Sequence, residues 1–181
     1  WLAQDSINSK IDSMFACQDY SAIASLLEGL ESAESFDSIV DHIISKSNES
    51  KAKKKTILNS INYNKPYREF GQFIVDELTA IEHIKETTQT KLVVEAAIKY
   101  MIRFTHDDLS FVMVSKISSI IGRLLSSKND LSVLKHIFSN LRSIRLSGQP
   151  KEEITNYLLS ILETIPIEIR YNAASCLNKL G

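Results

Sequence analysis

Apolar residues recur along this chain at intervals of three and four rather than two, and runs of β-branched residues are short. That period is one face of an α-helix. The pattern predicts ten helices, at about 2–16, 20–30, 36–46, 52–62, 67–83, 91–104, 109–126, 131–144, 151–163 and 167–180. Start signals agree with the stripes: Asp19 precedes Ile23, Leu26, Leu27 and Leu30, and Ser35 or Asp37 opens a segment carrying Phe36, Ile39, Val40, Ile43 and Ile44. Asp108 and Asp130 each stand where a side chain could cap the helix that follows. Pro66, Pro150 and Pro166 fit first-turn positions, where a missing N–H costs nothing.

Gaps of mostly three to six residues favour antiparallel neighbours, so the expected fold is all-α, a bundle or a solenoid of helical hairpins. The segment 109–126 decides between them. Val112, Met113, Ile117, Ile120, Ile121, Leu124 and Leu125 make it apolar over more than a narrow seam. Such a helix is sandwiched on two sides, as in stacked layers. The whole of 1–181 reads as a single helical-repeat domain, with a possible subdivision near 46–55 in the polar run SKSNESKAKKK. Extending the helix that bears Ile57, Leu58 and Ile61 backwards would put Lys54 on its apolar face, so its start is expected near Lys53. Residue 1 is Trp rather than Met, and the helical pattern runs to the last residues, as expected of a fragment of a longer protein.

The stretch Glu153–Gly181, EITNYLLSILETIPIEIRYNAASCLNKLG, resembles a HEAT repeat. In that resemblance Tyr157, Leu158, Ile161 and Leu162 belong to the first helix and Thr164–Pro166 to the turn. Arg170 is then the family's arginine, and Ala173, Ala174, Leu177 and Leu180 belong to the second helix. Small residues at 173 and 174 would let two helices approach closely while the leucines fill the groove between layers. The turn departs from the family in carrying no aspartate for the arginine, with Glu168 the nearest acid. The hairpins upstream are similar in length and apolar spacing only. A weaker resemblance is to the helical N-terminal part of PCI-domain subunits. What these resemblances imply is a HEAT-like α-solenoid of about ten helices in antiparallel hairpins, and an interaction scaffold rather than an enzyme.

Composition narrows the setting. With 44% apolar and 24% charged residues, 5 Gly and 3 Pro, the chain is globular. No apolar run approaches the roughly 20 residues a bilayer demands, so no membrane partner is expected. Cys17 and Cys176 stand far apart, outside any ligand-spaced motif and among apolar residues. Both are expected as buried free thiols in a reducing, intracellular compartment, cytoplasmic or nuclear. Net charge is only −1, yet residues 1–50 hold Lys10 and Lys46 against nine acids, and the basic excess lies downstream. That dipole suits docking to a charged macromolecule.

Catalytic chemistry has one candidate: His106–Asp107, with His83 upstream and Asp130 downstream, is similar to the all-helical HD metal-dependent phosphohydrolases. The same Thr105–Asp108 stretch reads more simply as a turn whose aspartates cap the next helix. His42 and His136 occur singly within helices, and no glycine-rich phosphate loop, HExxH or GxSxG pattern is present. No cofactor or metal is called for. Tyr63, Tyr67, Phe70 and Phe73 read as core packing. Lys51, Lys53, Lys54 and Lys55 read as a solvated run. More organised basic pairs follow: Lys99 with Arg103, Lys116 with Arg123, and Lys135 with Arg142, each on one helix face. The expected function is a non-catalytic scaffold module of an intracellular multiprotein complex. Lys99, Arg103, Lys135 and Arg142 would face a partner protein with acidic segments, and Arg170 would be structural. The alternatives are a nucleic-acid-binding helical repeat and the HD-like hydrolase.

Overall fold

A computed structural model describes residues 4–83, 87–127, 131–142 and 145–180. They form ten α-helices and two 3₁₀ turns, with no strand among the described residues. The helices divide into two compact units, Trp1–Phe70 and Gly71–Gly181.

The first unit holds α1 (Gln4–Ala16), α2 (Tyr20–Leu30), α3 (Phe36–Ser47), α4 (Lys51–Tyr63) and a 3₁₀ turn, Arg68–Phe70. Helices α1 and α4 each pack against both α2 and α3, and the 3₁₀ turn packs on α3. Ile11, Ile23, Ile39, Val40, Ile43, Ile57, Leu58 and Phe70 are wholly buried between them. Asp19 caps α2, its Oδ1 accepting the Ala22 N–H at 3.0 Å. Helix α4 starts at Lys51, two residues before the expected Lys53, because extended Ser50 supplies a cap and accepts the Lys53 N–H at 3.2 Å. Lys54 is accordingly half-buried, which a lysine tolerates because its methylene stem can lie on an apolar face while the ammonium reaches water. The run 46–55, read as a possible subdivision, falls inside this unit, from the end of α3 through residues 48–50 into the start of α4. Tyr67 and Phe70 are buried as the aromatic cluster requires, with the Tyr67 ring 5.2 Å from that of Phe36. Tyr63 departs from it: 62% exposed, it meets Tyr20 edge-on at 5.7 Å.

The second unit holds α5 (Gly71–Ile81), α6 (Thr87–Phe104), a 3₁₀ turn (Asp108–Ser110), α7 (Phe111–Ser127), α8 (Leu131–Leu141), α9 (Gly148–Ile161) and α10 (Ile167–Leu180). Helix α7 packs on α5 and on α9, and α8 packs on α6 and on α10. The contacts along α5, α7 and α9 advance together. A Cβ on Gly71 would lie 3.1 Å from Met113, while beyond the other end of α5 Glu82 binds Arg123 at 2.9 and 3.2 Å. Ser119 donates to Glu153 at 2.6 Å, and Gly122 lies under the ring of Tyr157. These three helices therefore run in one direction. Two sequence segments come out divided: 67–83 is a 3₁₀ turn followed by α5, and 109–126 is a 3₁₀ turn followed by α7. Asp107, not Asp108, is the second turn's cap, accepting the Leu109 N–H at 3.0 Å and the Ser110 hydroxyl at 3.2 Å. Asp130, proposed as the other cap, lies outside the described residues, as do 143–144 of the segment drawn over 131–144.

Pro150 takes the first turn of α9 as expected, whereas Pro166 immediately precedes α10 and Pro66 lies in the loop before the first 3₁₀ turn. Arg170 is structural: its Nη2 donates to the carbonyls of Glu163 and Ile165, each at 3.2 Å, and closes the α9–α10 turn without an aspartate. On α10 the buried positions are Ile169, Ala173, Cys176 and Leu180, while Ala174 is exposed and Leu177 only half-buried. The expected core role of Leu177 passes to Cys176, because the thiol donates to the Phe138 carbonyl at 3.1 Å across a close α8–α10 approach.

Candidate interaction surface

Helices α6 and α8 carry Lys99, Arg103 and Lys135, and they pack side by side. Val93, Val94, Ala97, Tyr100 and Met101 turn one side of α6 inward, and Val133, Leu134, Ile137, Phe138 and Leu141 do the same for α8. What remains outside is mostly polar, apart from Ile102 near the end of α6 and Leu131 at the start of α8. Lys91 of α6 ties the two together: its Nζ donates to Ser132 Oγ, and its carbonyl accepts His136 Nε2 at 3.1 Å. Lys99 is half-buried, with Glu95 one turn back at 3.8 Å. Arg103 is exposed, its guanidinium carbon 5.5 Å from the centre of the Phe104 ring. Lys135 is exposed on α8, and Arg142, exposed just past that helix, donates its N–H to the Phe138 carbonyl at 3.0 Å. Thus Lys99, Arg103 and Lys135 stand on one packed pair of helices, with Arg142 just beyond the end of α8. Lys91 and His136 were not legible as partners, because spacing along a chain orders residues on one helix and says nothing of a bond 41 or 45 positions away.

Two further expectations change in the first unit. The acids of this unit share it with its lysines, and several pair: Glu49, between α3 and α4, accepts from Lys53 and lies 3.2 Å from Lys46, while Lys65 just past α4 reaches Glu31 just past α2 at 2.8 Å. Lys53 first and Lys46 second hold the Glu49 carboxyl below its ordinary range. The charge separation seen along the chain is thus partly cancelled in space, which weakens it as a docking device. Asp12 similarly collects His42 at 3.0 Å and Lys46 at 3.8 Å.

Of the residues of the HD-like reading, Asp130 lies outside the described residues. Both Asp107 oxygens serve the turn, and His106 and His83 are exposed. Among the described residues no three His, Cys, Asp or Glu side chains converge as metal ligands would. No helix among them is long and apolar enough to cross a membrane.

The cysteines differ from each other, against the expectation that both are buried. Cys17 is exposed beyond the end of α1, and Cys176 is buried. Burial pushes the Cys176 thiol up to about 11 from an ordinary 9.0. The protonated thiol is the form the fold favours, so its contribution to stability is complete below about pH 9 and is lost as pH rises towards 11. At pH 8 a chromogenic disulfide reagent is expected to titrate Cys17 at once and Cys176 only after denaturant is added. Rapid reaction of both thiols in the native protein would contradict the burial of Cys176.

No protein-family model, no curated protein and no solved structure matches this chain.

Proposed function

We propose that the second unit is a short α-solenoid, HEAT-like in plan, and that the chain is a non-catalytic scaffold module of an intracellular complex, taking acidic segments of partner proteins on α6 and α8. The observation that carries this reading is the advance in step of α5, α7 and α9. Equivalent contacts recur after 41 residues between Glu82 and Arg123 and after 34 between Ser119 and Glu153, an interval typical of helical-hairpin repeats. Helices α6, α8 and α10 then form a second row, and stacked rows of this kind present extended surfaces suited to binding. On that row the polar side of α6 and α8 offers Lys91, Lys99, Arg103, Lys135 and Arg142 against Glu95. Cations so placed give carboxylates charge-assisted hydrogen bonds and speed encounter with an acidic partner.

Lys135→Glu with Arg142→Glu is the test, since both side chains are exposed and reversing them leaves the core alone. The double variant is expected to keep the helical circular-dichroism signal. In native co-purification followed by mass spectrometry it should lose the proteins retained by the wild-type chain, with recovery falling about tenfold. A partner set recovered equally by both would remove this face from the reading. Affinity for single- or double-stranded nucleic acid that drops about a thousandfold between roughly 50 and 200 mM salt would assign it to nucleic acid instead.

A further inference from the structure

Four large apolar side chains stand in water around the turn joining α6 to α7. Leu109 is 78% exposed, Val112 61%, Phe111 51% and Ile102 44%, whereas Phe104 and Val114 on either side of the turn are buried. Single exposed apolar residues need no explanation, but four gathered about one turn make a patch of the kind that marks a contact site. The charges around it are mostly of one sign. Arg103 adjoins Ile102, Lys99 lies one turn back on α6, and Lys116 stands exposed one turn beyond Val112. The exposed acid on the turn is Asp108, since Asp107 gives both oxygens to the cap.

We infer that this patch is the apolar part of the docking face, and that its occupant is an acidic amphipathic segment of a partner protein. Carboxylates on that segment meet Lys99, Arg103 and Lys116, while its Leu, Ile or Phe side chains cover Ile102, Leu109, Phe111 and Val112. The inference rests on the scaffold reading above and adds what the partner must carry. Charge alone is satisfied by any acidic stretch. A patch this apolar within a cationic setting also asks for hydrophobic anchors, and desolvated anchors supply most of the affinity in such contacts. The opposite choice, a basic segment, would set like charges against each other.

The experiment is selection from a displayed library of random peptides a few helical turns long, against the whole chain. Its variants are Leu109→Ser with Val112→Ser, and Lys135→Glu with Arg142→Glu, each checked by circular dichroism. The wild-type chain is expected to select peptides rich in Asp and Glu that also carry Leu, Ile or Phe. Their affinity should fall about tenfold or more on the Leu109→Ser, Val112→Ser variant. Acidic peptides that bind that variant unchanged overturn the inference and leave the basic face standing. Selection of no acidic peptides overturns both. Sedimentation with vesicles of phosphatidylcholine and phosphatidylserine that the same variant abolishes overturns the inference by giving the patch to a membrane surface.

Discussion

Gly122→Ala should destabilise the second unit by about 1–3 kcal/mol, although alanine is the better helix former by about 1 kcal/mol in isolation. A Cβ at 122 would sit 2.1 Å from Cδ2 and 2.3 Å from Cε2 of Tyr157, with Cγ at 2.8 Å. Those atoms include the root of the ring as well as its edge, so a small rotation of the side chain cannot clear them. Either α9 moves away from α7 or Tyr157 abandons its place. Helices α7 and α9 pack closely at this point, with Ser119 bound to Glu153 a turn away, and separation strains that bond too. The diagnosis is checked by a double-mutant cycle in urea: Tyr157→Ala should recover much of what Gly122→Ala loses, giving a clearly non-additive pair. If Gly122→Ala alone is as stable as the wild type, the close approach of the two helices at this glycine is wrong.

Leu124→Ala carries the other large effect. Leu124 is wholly buried on α7, the helix flanked by both α5 and α9. Its truncation should cost about 2–5 kcal/mol, the lost transfer energy plus a cavity that a helix held on two sides cannot collapse into. The comparison is with Leu177→Ala on α10. Leu177 is half-buried and lines a cleft of about 540 Å³ with Gly148, Lys151 and Thr155, so that substitution should cost less than about 1 kcal/mol. Urea denaturation of the two variants orders them. Equal losses would mean that the apolar side of α10 is turned by a residue from where it is described.

That pair of leucines also marks what was legible in the sequence. The three-and-four spacing located all ten helices, mostly to within three residues at each end, and the broad apolar stripe of α7 announced its two flanking helices. Asp19 was legible because a cap acts within three residues of itself. Leu177 was misjudged because an apolar stripe two residues wide can rotate by one position, and hydrophobicity favours the leucine over the cysteine beside it. The close approach to Phe138 favours the smaller Cys176 instead. Val112 and Cys17 failed for another reason: at the ends of helices the stripe continues while the neighbouring helix does not, so an apolar residue there can be left in water. Of the candidate site, the shared helix of Lys99 and Arg103 was legible, since i, i+4 spacing is a property of one helix, whereas Arg142, expected on one helix with Lys135, falls just past the end of α8. Their company was not legible. Pairing of α6 with α8 through Lys91 depends on how helices stack, and within the first unit the pairing of Asp12 with His42 and Lys46 depends on how α1 meets α3.

The interval between bonded helices bears on how the chain reaches its fold. The helix-to-helix bonds named above span similar distances: 30 residues from Asp12 to His42, 34 from Ser119 to Glu153, 38 from Phe138 to Cys176, and 45 from Lys91 to His136. Loop-closure entropy grows only with the logarithm of length, so each of these closures carries nearly the same small cost and none waits on a distant end of the chain. Chains dominated by such local pairings fold quickly for their size. A ribosome need expose only a few dozen residues beyond a helix before that helix finds its neighbour, so apolar stripes such as that of α7 spend little time uncovered during synthesis.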